Sequence, residues 1–299
     1  MYLIKHFPED FMVSEVSTIK PKQSGSFVYF KLWKKDISTL DALHYLSHDL
    51  RAKDISCAGN KDKCAVTEQI CSAKTTKDCL EKLSYQKIKL TFLGYGDEPV
   101  HLGSLEGNKF KIVVRNIDVL PEISTKFRNL FGEQRFSVSN ADIGKHIVKR
   151  EFKDAADLIV NLYPYIQLQG ADYVGALRRL PRKLLLLFVH AYQSLLWNKA
   201  ALLSSADVLP IVGFGTEIID EVTKKILAEE NVKPSDFVIR ELPEVSAEGS
   251  ERAVSAEAKE LKIGRLEPDE CFPDKNKVQL EFFLPKGCYA TEFIRQSFQ

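Results

Sequence analysis

The chain has no run of about 18 consecutive apolar residues, so it offers no candidate transmembrane helix. Its strongest candidate, Leu184 to Val189, passes directly into His190 and Gln193. The N-terminus, Met1-Tyr2-Leu3-Ile4-Lys5-His6, lacks the charged-then-apolar layout of a secretory signal. None of the six cysteines (Cys57, Cys64, Cys71, Cys79, Cys271 and Cys288) forms a C-x2-C pair, which argues against a zinc site. In a large chain without an export signal an even cysteine count does not imply disulfides, and free thiols in a reducing cytosol are expected. His44 and His48 stand four apart on a predicted helix, but no H-E-x-x-H arrangement surrounds them, so no metal is expected there. A cytoplasmic protein that uses no metal is the resulting expectation.

Strong charge of one sign is missing as well. Lys and Arg total 42 against 41 Asp and Glu, a formal net charge of +1. Any phosphate-binding surface therefore has to be a local basic cluster balanced by acid elsewhere. Internal repeats and low-complexity tracts are also missing. What is present is the composition of a soluble globular protein: 299 residues, 44% hydrophobic and 28% charged. That length suffices for one large domain or two medium ones.

The first part of the chain alternates strand and helix signals. Asp10 to Val16 alternates polar and apolar residues, and Gly25 to Trp33 is an aromatic-rich strand pattern. Ser38-Thr-Leu-Asp41 resembles a capping box and predicts a helix to about Leu50, with an apolar stripe at Leu40, Leu43, Leu46 and Leu50. Phe110 to Arg115 predicts a strand, and Glu122 to Phe131 a helix. The middle is more helical, with predicted helices over Ile147 to Leu162 and Arg182 to Ser204. Leu242 to Arg252 has the composition of a mobile loop. Strand character returns at Lys277 to Phe283, followed by a Pro285-Lys-Gly287 turn and a short helix from Ala290 to Gln296. Strands at both ends around a helical middle suggest an inserted domain.

The most informative stretch is Ala58-Gly-Asn-Lys-Asp-Lys-Cys-Ala-Val-Thr-Glu-Gln69. An apolar run, Ile55 to Ala58, feeds a Gly-Asn turn, and a second strand-like run, Ile70 to Ala73, follows. Asp62 thus sits at a loop tip between two predicted strands, flanked by Lys61 and Lys63. Flanking cations favour an ionised carboxylate, which suits a nucleophile or base. By loop chemistry alone the same pattern also describes an ordinary charged hairpin tip.

The stretch resembles the AGxKDxxAxTxQ signature of the TruD family of tRNA pseudouridine synthases, whose catalytic aspartate falls on Asp62. Further motifs follow in the family's order. Lys5 with Pro8-Glu-Asp-Phe-Met-Val-Ser-Glu15 resembles its opening pattern, a lysine followed by PxDFxVxE. The resemblance implies Lys5 near the catalytic carboxylate and Phe11 as a substrate contact. Gly107-Asn-Lys-Phe110 resembles the GNxF element, which implies that Asn108 hydrogen-bonds the uracil or ribose and that Phe110 supplies a flat surface for the base. Asn129-Leu-Phe-Gly-Glu-Gln-Arg-Phe136 resembles NYFGxQRFG, with Leu130 in place of tyrosine and Ser137 in place of glycine. Arg135 is read as bracing this loop. His190-Ala-Tyr-Gln-Ser-Leu-Leu-Trp-Asn198 resembles AYQSxLxN, and Asn198 is read as a buried structural amide. Leu284-Pro-Lys-Gly-Cys-Tyr-Ala-Thr291 with Arg295 resembles LPxGxxATxxxRE, which places Tyr289 against the base and puts Gln296 where glutamate is usual.

The resemblance implies an α+β chain: a pseudouridine synthase fold with a mixed, largely antiparallel sheet flanked by helices, interrupted by an inserted, mostly helical α/β TRUD domain. On this sequence the catalytic domain takes residues 1–125 and 263–299, and the insertion 126–262. The implied activity is isomerisation of a tRNA uridine, at position thirteen in the D-arm. That reaction breaks the C1′–N1 bond, turns the uracil and rejoins it through C5, with no redox change or energy input, so no cofactor is expected. tRNA is the expected partner, with no membrane, no obligate protein partner and a monomeric state. Lys61, Lys63, Arg178, Arg179 and Arg182 are expected to grip its backbone. Lys145, Lys149, Arg150 and Lys153 are read as a solvated face. Attack of Asp62 at C1′, attack at C6, and action as a base stay open. Two other functions fit parts of the pattern. One is a catalytically silent RNA-binding protein or tRNA chaperone of this fold. The other is a glycosidase or nucleosidase, for which Glu9, Asp10, Glu15 or Glu68 would supply a second carboxylate.

Overall fold

Buried and exposed residues alternate along β1 (Phe11–Ser17): Phe11 and Val13 face the core, Met12 and Ser14 the solvent. The computed structural model that shows this describes residues 2–52, 54–163, 166 and 172–299. In β2 (Phe27–Lys35) the inward series is Val28, Phe30, Leu32 and, with no exposed surface, Lys34. Ser38 caps α1 (Thr39–Asp49), its hydroxyl accepting from the Asp41 N–H at 3.0 Å. The expected stripe is rotated: Thr39, Ala42 and Leu46 face the core, and Leu40 is 67% exposed. Thr39 accounts for the rotation, because its hydroxyl is held by the neighbouring loop at the Lys61 N–H. There follow β3 (Ile55–Cys57), β4 (Val66–Ala73), α2 (Lys77–Glu81), β5 (Ile88–Gly96) and β6 (Leu105–Ile117).

The chain divides into two units. One comprises Met1–Thr125, Glu257–Ala290 and Ser297–Gln299; the other comprises Lys126–Ala256 and Thr291–Gln296. The second unit holds β7 (Lys126–Arg128), α3 (Glu133–Phe136), α4 (Asn140–Val148), α5 (Phe152–Leu162), α6 (Tyr173–Arg178), α7 (Arg182–Leu203), β8 (Val208–Ile211), α8 (Glu221–Glu230) and β9 (Ser250–Ala253). α7 is its axis, with Phe188, Tyr192, Leu196 and Trp197 buried. α4 packs tightly on it because residue 144 is glycine: a Cβ there would lie 2.0 Å from the Phe188 carbonyl oxygen.

Three expectations for this region are corrected. The helix expected over Glu122 to Phe131 is extended chain carrying β7. Its polar groups are taken laterally: the Gln296 side chain accepts from the Arg128 N–H and donates to the Arg128 carbonyl, both at 2.8 Å. Glutamate could not make that donor bond, so Gln296 does a job of its own here. The single helix expected over Ile147 to Leu162 is two, α4 and α5, broken where Arg150 turns to a φ of +64°. Leu242 to Arg252 is ordered, anchored by buried Val245 and Ala247 and ending in β9, which pairs with β8.

The two departures in Asn129–Ser137 read differently. Leu130 is buried and simply keeps an apolar contact. Ser137 follows α3 at φ +48° and ψ −142°, a conformation that glycine adopts readily and serine does not. Ser137→Gly is therefore expected to raise stability by about 1 kcal/mol in chemical denaturation, the relieved strain outweighing the added freedom of the unfolded chain. The rest of the segment is braced. Phe131 donates its N–H to the Asn198 side chain at 2.9 Å and its carbonyl accepts from it at 3.0 Å. Arg135 donates to the Ser194 hydroxyl at 3.2 Å, and Arg252 stacks 4.2 Å over the Phe131 ring.

The chain returns through β10 (Ser255–Glu257), β11 (Lys259–Ile263), β12 (Glu267–Pro268) and β13 (Asn276–Pro285), and ends with α9 (Ala290–Ser297). The first unit's sheet has the order β11-β13-β6-β1-β4-β2-β5, with β12 beside β13 and β3 beside β4. β1 and β4 run parallel; β1–β6, β6–β13, β11–β13, β2–β4 and β2–β5 run antiparallel. The fold is thus α+β with a mixed, largely antiparallel sheet. β6 runs between β1 and β13, and the closeness of β13 depends on Gly107: a Cβ there would lie 2.1 Å from the Leu284 carbonyl oxygen.

Candidate active site

One face of the sheet gathers the predicted residues by register. Glu15, Val13 and Phe11 of β1 lie opposite Asn108, Phe110 and Ile112 of β6, which in turn face Leu284, Phe282 and Leu280 of β13. Phe11 meets Phe110 edge-on with centroids 6.1 Å apart, and Phe110 stacks on Phe282 at 5.4 Å. Phe11 and Phe110 are 2% and 8% exposed, so they form a floor rather than an open stacking surface.

Above that floor Lys5 Nζ sits 4.2 Å from the Phe11 ring centroid and donates to Asp62 Oδ2 at 2.6 Å. Both side chains keep partial access to solvent, 22% for Lys5 and 25% for Asp62. Lys5 is aimed by a left-handed backbone, φ +61°, just after Leu3 bridges to Arg115. Asn108 Oδ1 is buried and has no hydrogen-bond partner among the described residues. An unmatched buried acceptor costs about 1–3 kcal/mol, a cost that a ligand's N–H or O–H would remove. Tyr289 stands half-buried between the end of β13 and the start of α9. The pairing of Pro285 with Gly107 brings that end of β13 beside Asn108.

The loop bearing Asp62 is held from several sides. The Lys61 N–H donates to the Thr39 hydroxyl at 2.9 Å, and the Gln69 amide donates to the Gly59 carbonyl at 2.9 Å. Lys34 Nζ donates to the carbonyls of Asp62 at 2.7 Å, Lys61 at 3.3 Å and Ile37 at 2.9 Å. Burial pushes the Lys34 ammonium down to about 8, opposed by the nearby charge of Asp62 and reinforced by that of Lys61. Lys34, Thr39 and Gln69 escape the sequence reading. The available signals were Lys34 continuing the inward series of β2 and Gln69 closing the AGxKDxxAxTxQ match.

Lys61, expected to grip phosphate, turns inward instead. Its Nζ pairs with Glu15 Oε2 at 3.1 Å, with the two side chains 9% and 0% exposed. Lys63, next along the loop, is exposed. In the second unit Arg178, Arg179 and Arg182 are exposed. Arg178 donates to the Glu241 carbonyl at 2.7 Å and Arg182 to that of Glu244 at 2.8 Å. Lys145, read as part of a solvated face, instead pairs with Glu230 at 2.7 Å. Lys199 pairs with the same carboxylate. Burial pushes the Glu230 carboxyl up, but these two lysines outweigh it and hold it at about 2.

The carboxylates that a second-acid mechanism would need are all engaged. Asp10 is bound by Arg115 through two contacts of 2.9 Å, Glu15 by Lys61, and Glu68 by Lys31 at 3.4 Å. Glu9 pairs with Lys35, whose hydrogen bond holds its carboxyl below the usual range. Among the described residues two groups have metal-like spacing, His146–Glu151–Asp154 and Asp269–Glu270–Cys271. In the second, Arg115 already supplies the positive charge. Among the described residues no helix is long and apolar enough to cross a membrane.

A sequence model of the family described as tRNA pseudouridine synthase D (TruD) matches residues 2–167, 161–211 and 204–297. The tRNA pseudouridine synthase D of Aquifex aeolicus (strain VF5) is 30% identical, over 99% of this chain and 97% of its own. The probable tRNA pseudouridine synthase D of Methanosarcina mazei is 29% identical, over 96% and 91% of the two chains. A crystal structure of a putative tRNA pseudouridine synthase D from Methanosarcina mazei superposes with a TM-score of 0.73 at 27% identity, covering 99% of this chain and 93% of that one.

Proposed function

We propose, since the chain belongs to the tRNA pseudouridine synthase D (TruD) family, that it isomerises a tRNA uridine, at position thirteen in the D-arm, to pseudouridine, with Asp62 as the catalytic carboxylate. In this reading the unit built on the nine-stranded sheet is catalytic, and the family's insertion runs from Lys126 to Ala256 rather than to the expected residue 262, because β11 pairs with β13 in the catalytic sheet. The observation that carries the reading is the Lys5–Asp62 pair, 2.6 Å long and solvent-accessible, over the Phe11 ring.

The reaction balances without any external group. The C1′–N1 bond breaks, a C1′–C5 bond forms, the C5 hydrogen leaves as a proton, and N1 gains one. Asp62 serves as the nucleophile or base that lets C1′ part from N1. Lys5 orients that carboxylate through its 2.6 Å hydrogen bond to Oδ2. Asn108 takes a hydrogen bond from the uracil or ribose through its unmatched Oδ1, and Tyr289 contacts the base. Flipping the uridine out of its stack costs a few kcal/mol, which base–aromatic contact of about 1–3 kcal/mol helps to offset. Lys63 and the exposed Arg178, Arg179 and Arg182 attract the RNA backbone. The protein acts as a cytoplasmic monomer.

Loss of the C5 hydrogen supplies the test. tRNA carrying tritium at uridine C5 is incubated with the protein, and tritium in water is measured alongside free uracil. Asp62-dependent tritium release with no free uracil supports the synthase. tRNA binding without release would point to a silent RNA-binding protein, and free uracil would point to a nucleosidase.

A further inference from the structure

Lys34 has no exposed surface, and its three ammonium protons face three main-chain carbonyls, at 2.7, 2.9 and 3.3 Å. Two of those carbonyls, of Lys61 and Asp62, belong to the loop that carries the candidate catalytic carboxylate. We infer that Lys34 is a positioning residue, whose buried ammonium clamps the Asp62 and Lys61 carbonyls and thereby fixes where the Asp62 side chain meets Lys5. The inference rests on the proposed role of Asp62.

A lysine is a costly way to fill this place. Val28, Phe30 and Leu32 precede it on the same inward face, and leucine at position 34 would continue the series with no charge to desolvate. It would also leave the loop carbonyls without these donors. The other side chains that hold the loop's main chain are neutral and grip its neighbours: Thr39 holds Lys61, and Gln69 holds Gly59, while the charged Lys61–Glu15 pair holds a side chain. Lys34 grips Asp62 itself, with charge-assisted bonds that are shorter and stronger than neutral ones. A displacement of about 1 Å in a reacting group is enough to cost about 10²-fold in rate.

The clamp also titrates. The charged or titratable groups that face Lys34 are Asp62 and Lys61 on the loop and Cys57 on β3. Held at about 8, the Lys34 ammonium becomes an amine as pH rises, and two N–H groups must then serve three carbonyls. The global effect has the opposite sign. The folded value lies below the ordinary 10.5, so Lys34 disfavours the folded state at low pH, and that penalty fades as pH climbs between the two values. A fall in rate in this window is therefore a local loosening and not unfolding. Cys57 is held near 7 by Cys71, so Cys57→Ser serves as the control for the pH profile.

The test compares wild type, Lys34→Met, Lys34→Gln and Cys57→Ser. It reads single-turnover tritium release from C5-labelled tRNA, tRNA affinity, and hydrogen exchange of residues 58–65, each against pH. Lys34→Met is expected to slow release about 10²-fold while tRNA affinity stays within about threefold. Exchange in residues 58–65 should quicken selectively. The fall in rate above about pH 8 should vanish in Lys34→Met and persist in Cys57→Ser. A folded Lys34→Met or Lys34→Gln with wild-type rate and loop exchange overturns the inference. If neither variant folds, wild type decides: loop exchange that follows only the intrinsic chemical rate through this window overturns it as well. Wild type that releases no tritium defeats the proposed function instead, and the exchange measurement still decides whether Lys34 holds the loop.

Discussion

Asp62→Asn is expected to lower tritium release from C5-labelled tRNA by on the order of 10⁴-fold and to leave the fold and tRNA binding in place. The substitution keeps the side chain's size and an oxygen that can still accept from Lys5 Nζ, now 2.6 Å from Asp62 Oδ2. The loop's other ties run through main-chain groups of Gly59, Lys61 and Asp62 and through the Lys61 side chain to Glu15, none of which asparagine alters. What is lost is the negative charge, and with it both nucleophilicity and basicity. Removing a carboxylate from a surface meant for phosphate does not weaken RNA attraction, so the loss should appear in the rate of the bound complex. Circular dichroism and filter binding establish that the variant is folded and binds. A residual rate within about tenfold of wild type would place the chemistry elsewhere.

The second large effect is on stability. Arg115→Met is expected to cost roughly 3–5 kcal/mol and to lower the thermal midpoint by on the order of 10 °C. Arg115 is 5% exposed and grips Asp10 with Nε and Nη2, both at 2.9 Å. Its Nη1 reaches Asp269 at 2.9 Å and Glu270 at 3.1 Å, and the guanidinium lies 5.3 Å over the Phe7 ring. The network ties the turn before β1 to the turn before β13. Methionine fills the space but leaves Asp10 and Asp269, 2% and 6% exposed, without their cation. Asp10→Asn and Asp269→Asn, added together, should recover part of the loss, because the cost lies in the unmatched charge.

The same network carries an acid dependence. Burial pushes the Asp269 carboxyl up, but the N–H groups of Cys271 and Asn116 and the Arg115 guanidinium outweigh it and hold it below its ordinary value. A depressed carboxyl stabilises the fold above its unfolded value, and that stabilisation is lost as pH falls through the folded value. Urea midpoints should therefore fall as pH drops below about 4, with a smaller slope in Arg115→Met.

The strands that build the floor were legible because alternation and turn chemistry are local. Phe11 to Ser14 alternate as expected, and the Gly-Asn turn sits between β3 and β4. The Asp62 loop was legible through its length and order of residues, which no single physical rule supplies. Lys34 was not legible: a lysine near a strand end scans as a solvated charge, and what buries it is a pair of carbonyls 27 and 28 positions further on. Lys61 failed in the same way, since its inward turn is decided by Glu15 across the sheet. The helix expected over Glu122 to Phe131 failed because distant partners, above all the Gln296 amide, satisfy an extended backbone there. Propensity over a short window does not see such partners.

The most direct measurement is nucleotide-resolved mapping of pseudouridine in an unmodified tRNA after incubation with wild type and with Asp62→Asn. The expected result is pseudouridine at position thirteen with wild type and none above background with Asp62→Asn. Pseudouridine formed equally well by both proteins, or tRNA left unmodified by a wild-type protein that binds it, would contradict the assignment of Asp62 as the carboxylate that drives the isomerisation.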